Sequence, residues 1–205
     1  MNRLTVALFA TNDANYAACL NDYVSGANTM LQKYGMALEL FPTNPANPAA
    51  PRILPYTGAV FDSAEDPGTV RAQCHQAVPN GRGIPVIFCK RNTDDATSAQ
   101  IELGSTIQTK NPANGGVQWL PYVIINTQGK SPANEVLLHE LIHAAYGENQ
   151  PNKPGDPHDR DPGSCFYGYG TSATNPGALS GKPTRTLPAN HADVLRKAYF
   201  SIYAP

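Results

Sequence analysis

The segment with the clearest chemical potential is His139-Glu140-Leu141-Ile142-His143. In an α-helix, residues four apart lie on one face about 5–6 Å apart, so both imidazoles can bind one metal ion. Glu140 flanks the same face, where its carboxylate can take a proton from a metal-bound water. Random placement of the histidines and glutamates would give this pattern roughly 0.003 times per chain. The segment therefore predicts a Zn²⁺ site with Glu140 as general base.

A helix must present these side chains on one face. Ser131-Pro132 is a typical helix start, and Gly147 is a typical end. Apolar residues before and between the histidines predict that the helix is buried, where unpaired imidazoles would be costly. The alternative is an amphipathic helix whose histidines face water or satisfy hydrogen bonds in the core.

The first third of the chain predicts a strand, a crossover helix and a second strand. Leu4 to Phe9 is an apolar strand, Asn12 or Asp13 can cap the helix, and Gly35 can terminate it. Met36 to Phe41 alternates as the second strand. This order is typical of a parallel pair joined by a right-handed crossover.

The remaining elements complete an α+β fold with a twisted mixed sheet in a single domain, residues 1–205. Residues 1–130 form the part that contains the sheet, and 131–205 hold the motif helix, a loop-rich lower part and the last helix. The other predicted elements are an irregular segment at Pro42 to Pro55, a short helix at Thr69 to Ala77, a buried strand at Ile84 to Cys89, an edge strand at Trp119 to Asn126 that contains Pro121, and a last helix at Ala189 to Tyr203.

Composition excludes several classes of protein. The net charge of −1 provides no field that would attract nucleic acid, and no apolar run reaches the roughly 20 residues of a membrane span. Charged residues make up 15% of the chain, with 19 Pro and 17 Gly. This composition favours a protein that is secreted or delivered outside the producing cell. Two disulfides or four thiols are both compatible with the four cysteines, Cys19, Cys74, Cys89 and Cys165.

The motif at 139–143 resembles that of the zincin metallopeptidases, HExxH. The order of strands and helices is most similar to the metzincin branch. This resemblance implies that an edge strand holds an extended peptide beside the zinc, and that the chain is a zinc-dependent peptidase.

A catalytic zinc needs a third protein ligand. The metzincin pattern places Gly three residues after the second His and the ligand six after it, whereas this chain has Tyr146 and Asn149 there. The next histidine, His158, ranks first, and an inserted loop, 148–157, would deliver it. The alternatives are Asp156, Asp159, Asp161, His191 and Asp193.

The segment Ser164-Cys165-Phe166-Tyr167-Gly168 resembles the tight turn that lies under the zinc in metzincins. The resemblance implies that Phe166 is the hydrophobic floor of the site, where relatives have Met. It also implies that Tyr167 or Tyr169 stabilises the oxyanion. The alternative is that these tyrosines only pack within a glycine-rich loop.

The expected function is hydrolysis of peptide bonds, as a monomeric endopeptidase acting on a protein or peptide substrate. The alternative is a catalytically degenerate zincin that serves as a protein-binding module or effector. Intact Glu140 favours catalysis, because a purely structural zinc needs no base.

Overall fold

A computed structural model describes residues 1–54, 74, 77–78, 83–90, 104–107, 121–127, 135–147, 158–161, 163–167 and 185–203. These residues form strands β1 (Asn2–Thr11), β2 (Met36–Phe41), β3 (Arg52–Leu54), β4 (Ile84–Cys89), β5 (Gly104–Ile107), β6 (Tyr122–Asn126) and β7 (Ser201–Tyr203). They also form helices α1 (Leu20–Gln32), α2 (Val136–Tyr146) and α3 (Ala189–Lys197), with a short 3₁₀ helix at Tyr16–Ala18.

The strands form one mixed sheet in the order β2-β1-β4-β6-β5. The pairs β1–β2, β1–β4 and β4–β6 are parallel, and β5 is antiparallel to β6. Strand β3 pairs with the last residues of β1, and β7 pairs antiparallel with its first residues. The α+β fold with a mixed sheet, expected from the sequence, is confirmed.

The three α-helices pack on one face of the sheet. Alternate residues of β1 (Leu4, Val6, Leu8 and Ala10) join buried side chains of α1, α2 and α3 in the larger apolar core. The intervening residues Ala7 and Phe9 face the other side of the sheet and join a smaller core. Period-two alternation of a strand therefore assigns each face its own partners.

The strand, helix and strand predicted for the first third of the chain are present as β1, α1 and β2, with one correction. Gly35 ends the helical segment with φ of +66°, a left-handed conformation that favours glycine. The α-helix itself begins at Leu20 rather than at Asn12 or Asp13, because Asp13 accepts a hydrogen bond from the Thr11 hydroxyl instead of capping a helix.

Strand β6 is not the edge strand that the proline predicted. Pro121 precedes the strand, and Tyr122–Asn126 pairs with β4 on one side and β5 on the other. All five residues of β6 are buried. Among the described strands, the edge position beside β6 belongs to β5, and the predicted residues Trp119 and Leu120 lie outside the described part of the chain.

Two further predictions were wrong. The last helix ends at Lys197, and Ser201–Tyr203 forms β7 against β1. The segment Pro42 to Pro55 is not wholly irregular, because Arg52–Leu54 forms the short strand β3, which pairs in parallel with β1. The predicted helix start Ser131-Pro132, the loop 148–157 and most of the predicted helix Thr69–Ala77 lie outside the described residues.

Candidate metal centre

Helix α2 supplies two histidines and a glutamate to one site. Most of this helix is buried, including His139 and Glu140 at 6% exposure each. Its apolar side chains, among them Leu137, Leu138 and Leu141, are completely buried in the larger core. This packing fixes the rotation of the helix, and with it the direction of the imidazoles that lie one turn apart.

The structure brings His158 to the pair on α2. The Nε2 atom of His143 lies 3.1 Å from Nε2 of His139 and 3.1 Å from Nε2 of His158, and the third side of the triangle is 3.2 Å. Two ligands of a tetrahedral zinc with Zn–N bonds of about 2.0–2.1 Å lie about 3.3–3.4 Å apart. The three histidines therefore fit a metal ion bound by nitrogen, and within the described residues they are the cluster that could hold one.

The tautomer of His139 also fits a metal ligand. Its Nδ1–H donates a hydrogen bond to the carbonyl oxygen of Cys165 at 3.0 Å, since a carbonyl can only accept. Burial, followed by the charges that His143 and His158 can carry, lowers the pKa of His139 well below 6.5. The neutral ring thus directs the lone pair of Nε2 toward the other two nitrogens, where it can bind a metal ion.

Phe166 forms the floor of the cluster. Its completely buried ring lies 5.1 Å from the ring of His139, 4.6 Å from that of His143 and 5.3 Å from that of His158, measured between centroids. The turn around it is closed by a hydrogen bond from the Tyr167 amide to the Ser164 carbonyl. Phe166 thus contacts all three imidazoles, and its role as the hydrophobic floor of a zinc site stays a prediction.

Glu140 packs against the edge strand β5. The Thr106 hydroxyl lies 2.8 Å from Oε2 of Glu140 and 2.9 Å from its backbone carbonyl, and can donate to either. A Cβ on Gly104 would approach Cγ of Glu140 to 2.8 Å and Oε1 to 3.0 Å. Because Gly104 has no Cβ, the side chain of Glu140 can occupy this space.

The other predicted third ligands within the described residues have different partners. Asp159 pairs with buried His191 at 2.8 Å, Asp161 accepts a hydrogen bond from the Gly163 amide, and exposed Asp193 pairs with Arg196. Asp156 lies outside the described residues. His158 is the candidate that meets the helix pair.

Of the two tyrosines predicted to stabilise the oxyanion, Tyr167 contacts an arginine side chain. The guanidinium carbon Cζ of Arg185 lies over the ring of Tyr167, 5.5 Å from the ring centroid. Arg185 in turn forms a buried ion pair with Glu135, at the start of α2. Tyr169 lies outside the described part of the chain, so the role of either tyrosine stays a prediction.

All four cysteines are free thiols, so the disulfide alternative is not adopted in this structure. Burial raises the pKa of Cys74, Cys89 and Cys165 to about 12, and that of Cys19 to about 11. These thiols therefore stay protonated at neutral pH and behave as small apolar groups.

Sequence reasoning missed several residues that support the centre. Gly104 and Thr106 belong to a strand that the sequence did not predict. Tyr146, noted only as a departure from the metzincin glycine, places its hydroxyl 2.8 Å from Nδ1 of His191. No local sequence pattern pointed to these contacts, because each joins residues distant in the chain.

No protein-family model and no curated protein matches this chain in sequence. Among the described helices, none combines the length and apolar character that crossing a membrane requires. The histidine cluster and its surroundings are therefore the features of the chain that bear on its chemistry.

Proposed function

We propose that the chain is a zinc-dependent peptidase of the zincin type, similar to the metzincin branch, that hydrolyses peptide bonds. The observation that carries this proposal is the convergence of three imidazole Nε2 atoms, 3.1–3.2 Å apart, beside a glutamate on the same helix. Three histidine ligands leave a fourth position open, an arrangement typical of catalytic zinc, whereas structural zinc is closed by four protein ligands.

The residues around the cluster would have different roles in amide hydrolysis. When bound, zinc lowers the pKa of a coordinated water and polarises the substrate carbonyl. Glu140 would accept a proton from the attacking water and pass it to the leaving nitrogen, so that water and amide become an acid and an amine. Thr106 supports this role, because its hydroxyl can hold Oε2 of Glu140 in place.

The proposed substrate is an extended protein or peptide chain. Strand β5 lies next to Glu140, and its outer edge pairs with no strand among the described residues. Such an edge can bind a peptide backbone by strand addition, while Tyr167 or Tyr169 would stabilise the oxyanion. The proposed protein acts outside the producing cell as a monomer, and its low charge and abundant proline and glycine favour export.

The decisive experiment compares wild type with Glu140→Gln, which keeps the shape of the side chain but removes the base. We expect equal zinc content, and cleavage of unfolded casein or a peptide library that is about 10²–10⁴-fold slower in the variant. Glu39→Gln is the matched control, because Glu39 forms an exposed ion pair with Arg3 on the sheet. Zinc binding without any cleavage by wild type would instead support the protein-binding module, and failure to bind zinc would overturn the proposal.

A further inference from the structure

A row of hydrogen bonds runs beside the metal centre through four side chains. The Tyr146 hydroxyl lies 2.8 Å from Nδ1 of His191, and Nε2 of His191 lies 2.8 Å from Oδ2 of Asp159. The Ser164 hydroxyl donates to the same Asp159 oxygen at 2.6 Å. The row thus joins α2, α3 and the loop that carries His158.

The direction of these hydrogen bonds follows from the groups involved. A carboxylate can only accept hydrogen bonds, so Nε2 of His191 carries a hydrogen and donates a hydrogen bond to Asp159. Burial and the neighbouring Asp159 raise the pKa of Tyr146, so its hydroxyl keeps its proton and can donate to Nδ1 of His191. Since His191 is completely buried, both of its ring nitrogens need partners of this kind.

The same aspartate holds the backbone on both sides of the site. Asp159 directly follows His158, and its amide donates to the Phe166 carbonyl at 2.9 Å. The Ser164 hydroxyl, bound to the Asp159 carboxylate, accepts from the Phe166 amide at 3.0 Å. A shift of the carboxylate would therefore move both the third histidine and the aromatic floor below it.

We infer that Asp159 and His191 are positioning residues that hold His158 toward the helix pair and thereby set the affinity of the centre for its metal. The inference rests on the proposed zinc site and adds that its affinity depends on a residue of α3 that does not touch the metal. Helix α3 is fixed in turn, because the Tyr34 hydroxyl donates to the Leu187 carbonyl just before it.

The test measures zinc affinity by competition with a chromophoric chelator, using the full chain. His191→Phe keeps a ring of similar size but removes both hydrogen bonds, and we expect zinc affinity to fall about 10–100-fold. Tyr146→Phe removes only the hydrogen bond between Tyr146 and His191, so we expect a smaller loss of zinc affinity. Because this change is mild, it keeps the test valid if His191→Phe fails to fold. Asp159→Asn should retain most of the affinity, because its amide oxygen can still accept from His191, whereas Asp159→Ala should not.

Two further measurements separate positioning from general destabilisation. Asp193→Ala breaks an exposed ion pair on the same helix and should leave zinc affinity unchanged. The visible spectrum of the Co²⁺-loaded protein reports ligand geometry, and His191→Phe should alter it while Asp193→Ala should not. Urea unfolding of the metal-free variants shows how much stability each has lost.

The outcomes distinguish this inference from the proposed function. If wild type binds zinc and cleaves peptides while a folded His191→Phe or Tyr146→Phe binds zinc as tightly with the same Co²⁺ spectrum, the positioning role is overturned and the peptidase stands. If wild type binds zinc with the predicted losses in the variants but cleaves nothing, the positioning role stands and the peptidase fails. If wild type binds no zinc, both are overturned.

Discussion

The candidate metal centre joins two regions that are built in different ways. Helix α2 holds His139 and His143 through its own helical geometry and a largely buried surface. His158 comes from a loop whose position depends on other segments: the Cys165 amide donates to the Thr186 carbonyl, and the Thr186 amide donates to Gly163. The helix ligands are thus set by local structure, whereas the loop ligand is set by contacts distant in sequence.

This difference indicates which substitutions should separate folding from metal binding. A change in the core of α2 should lower stability, because the helix belongs to the main apolar cluster. A change in the loop should lower metal affinity. Its effect on the free energy of unfolding should depend on how deeply the changed side chain is buried. Phe166 is the exception, since it is completely buried and also contacts all three imidazoles.

The largest effect is expected for Phe166→Ala compared with Leu141→Ala. Both side chains are completely buried, and their loss should reduce the free energy of unfolding by about 3–5 and about 2–5 kcal/mol, respectively. Only Phe166→Ala should also weaken zinc binding in the folded protein, because the floor beneath the imidazoles is removed. Urea unfolding and zinc competition measure the two effects, and equal zinc affinity in both variants would contradict the distinction between core and floor.

The second prediction concerns the loop ligand itself. His158→Ala leaves two nitrogen ligands, and zinc affinity should fall by at least about 100-fold, the upper range for loss of an outer partner. Arg160→Ala is the matched control, since Arg160 is an exposed residue of the same loop. Undiminished zinc content in His158→Ala would return the third ligand to the other candidates, including Asp156.

The sequence predicts local structure better than it predicts this loop. The unit β1-α1-β2 and the histidine pair follow from apolar periodicity and helical spacing, which involve neighbouring residues. The interior place of β6 depends on pairing with β5, whose four residues Gly104–Ile107 carry little strand signal. The bond between Asp159 and His191 joins residues 32 apart, so no local pattern could predict it.

The third prediction uses the buried helix ligand as a probe of pH. Burial lowers the pKa of His139 in the folded chain well below 6.5, so the unfolded chain binds more protons below that pH. Metal-free protein should therefore lose stability from this group as the pH falls from 7.5 to 5.5, with little change above 7.5. Urea unfolding across this range measures the slope, and His139→Gln should flatten it. An unchanged slope in that variant would assign the pH dependence to other groups.

The smallest expected effect separates the base from the ligands. Thr106→Val keeps the shape of the side chain but removes the hydroxyl that can hold Oε2 of Glu140, a bond worth about 1 kcal/mol. Peptide cleavage should therefore slow about 5-fold while zinc affinity stays at the wild-type value, because Thr106 contacts the glutamate and not the histidine cluster. Thr106→Ser restores the hydroxyl and should recover the rate. A loss of zinc affinity in Thr106→Val would show that β5 also supports the histidine cluster. That result would contradict the prediction that this strand acts on the base Glu140 alone.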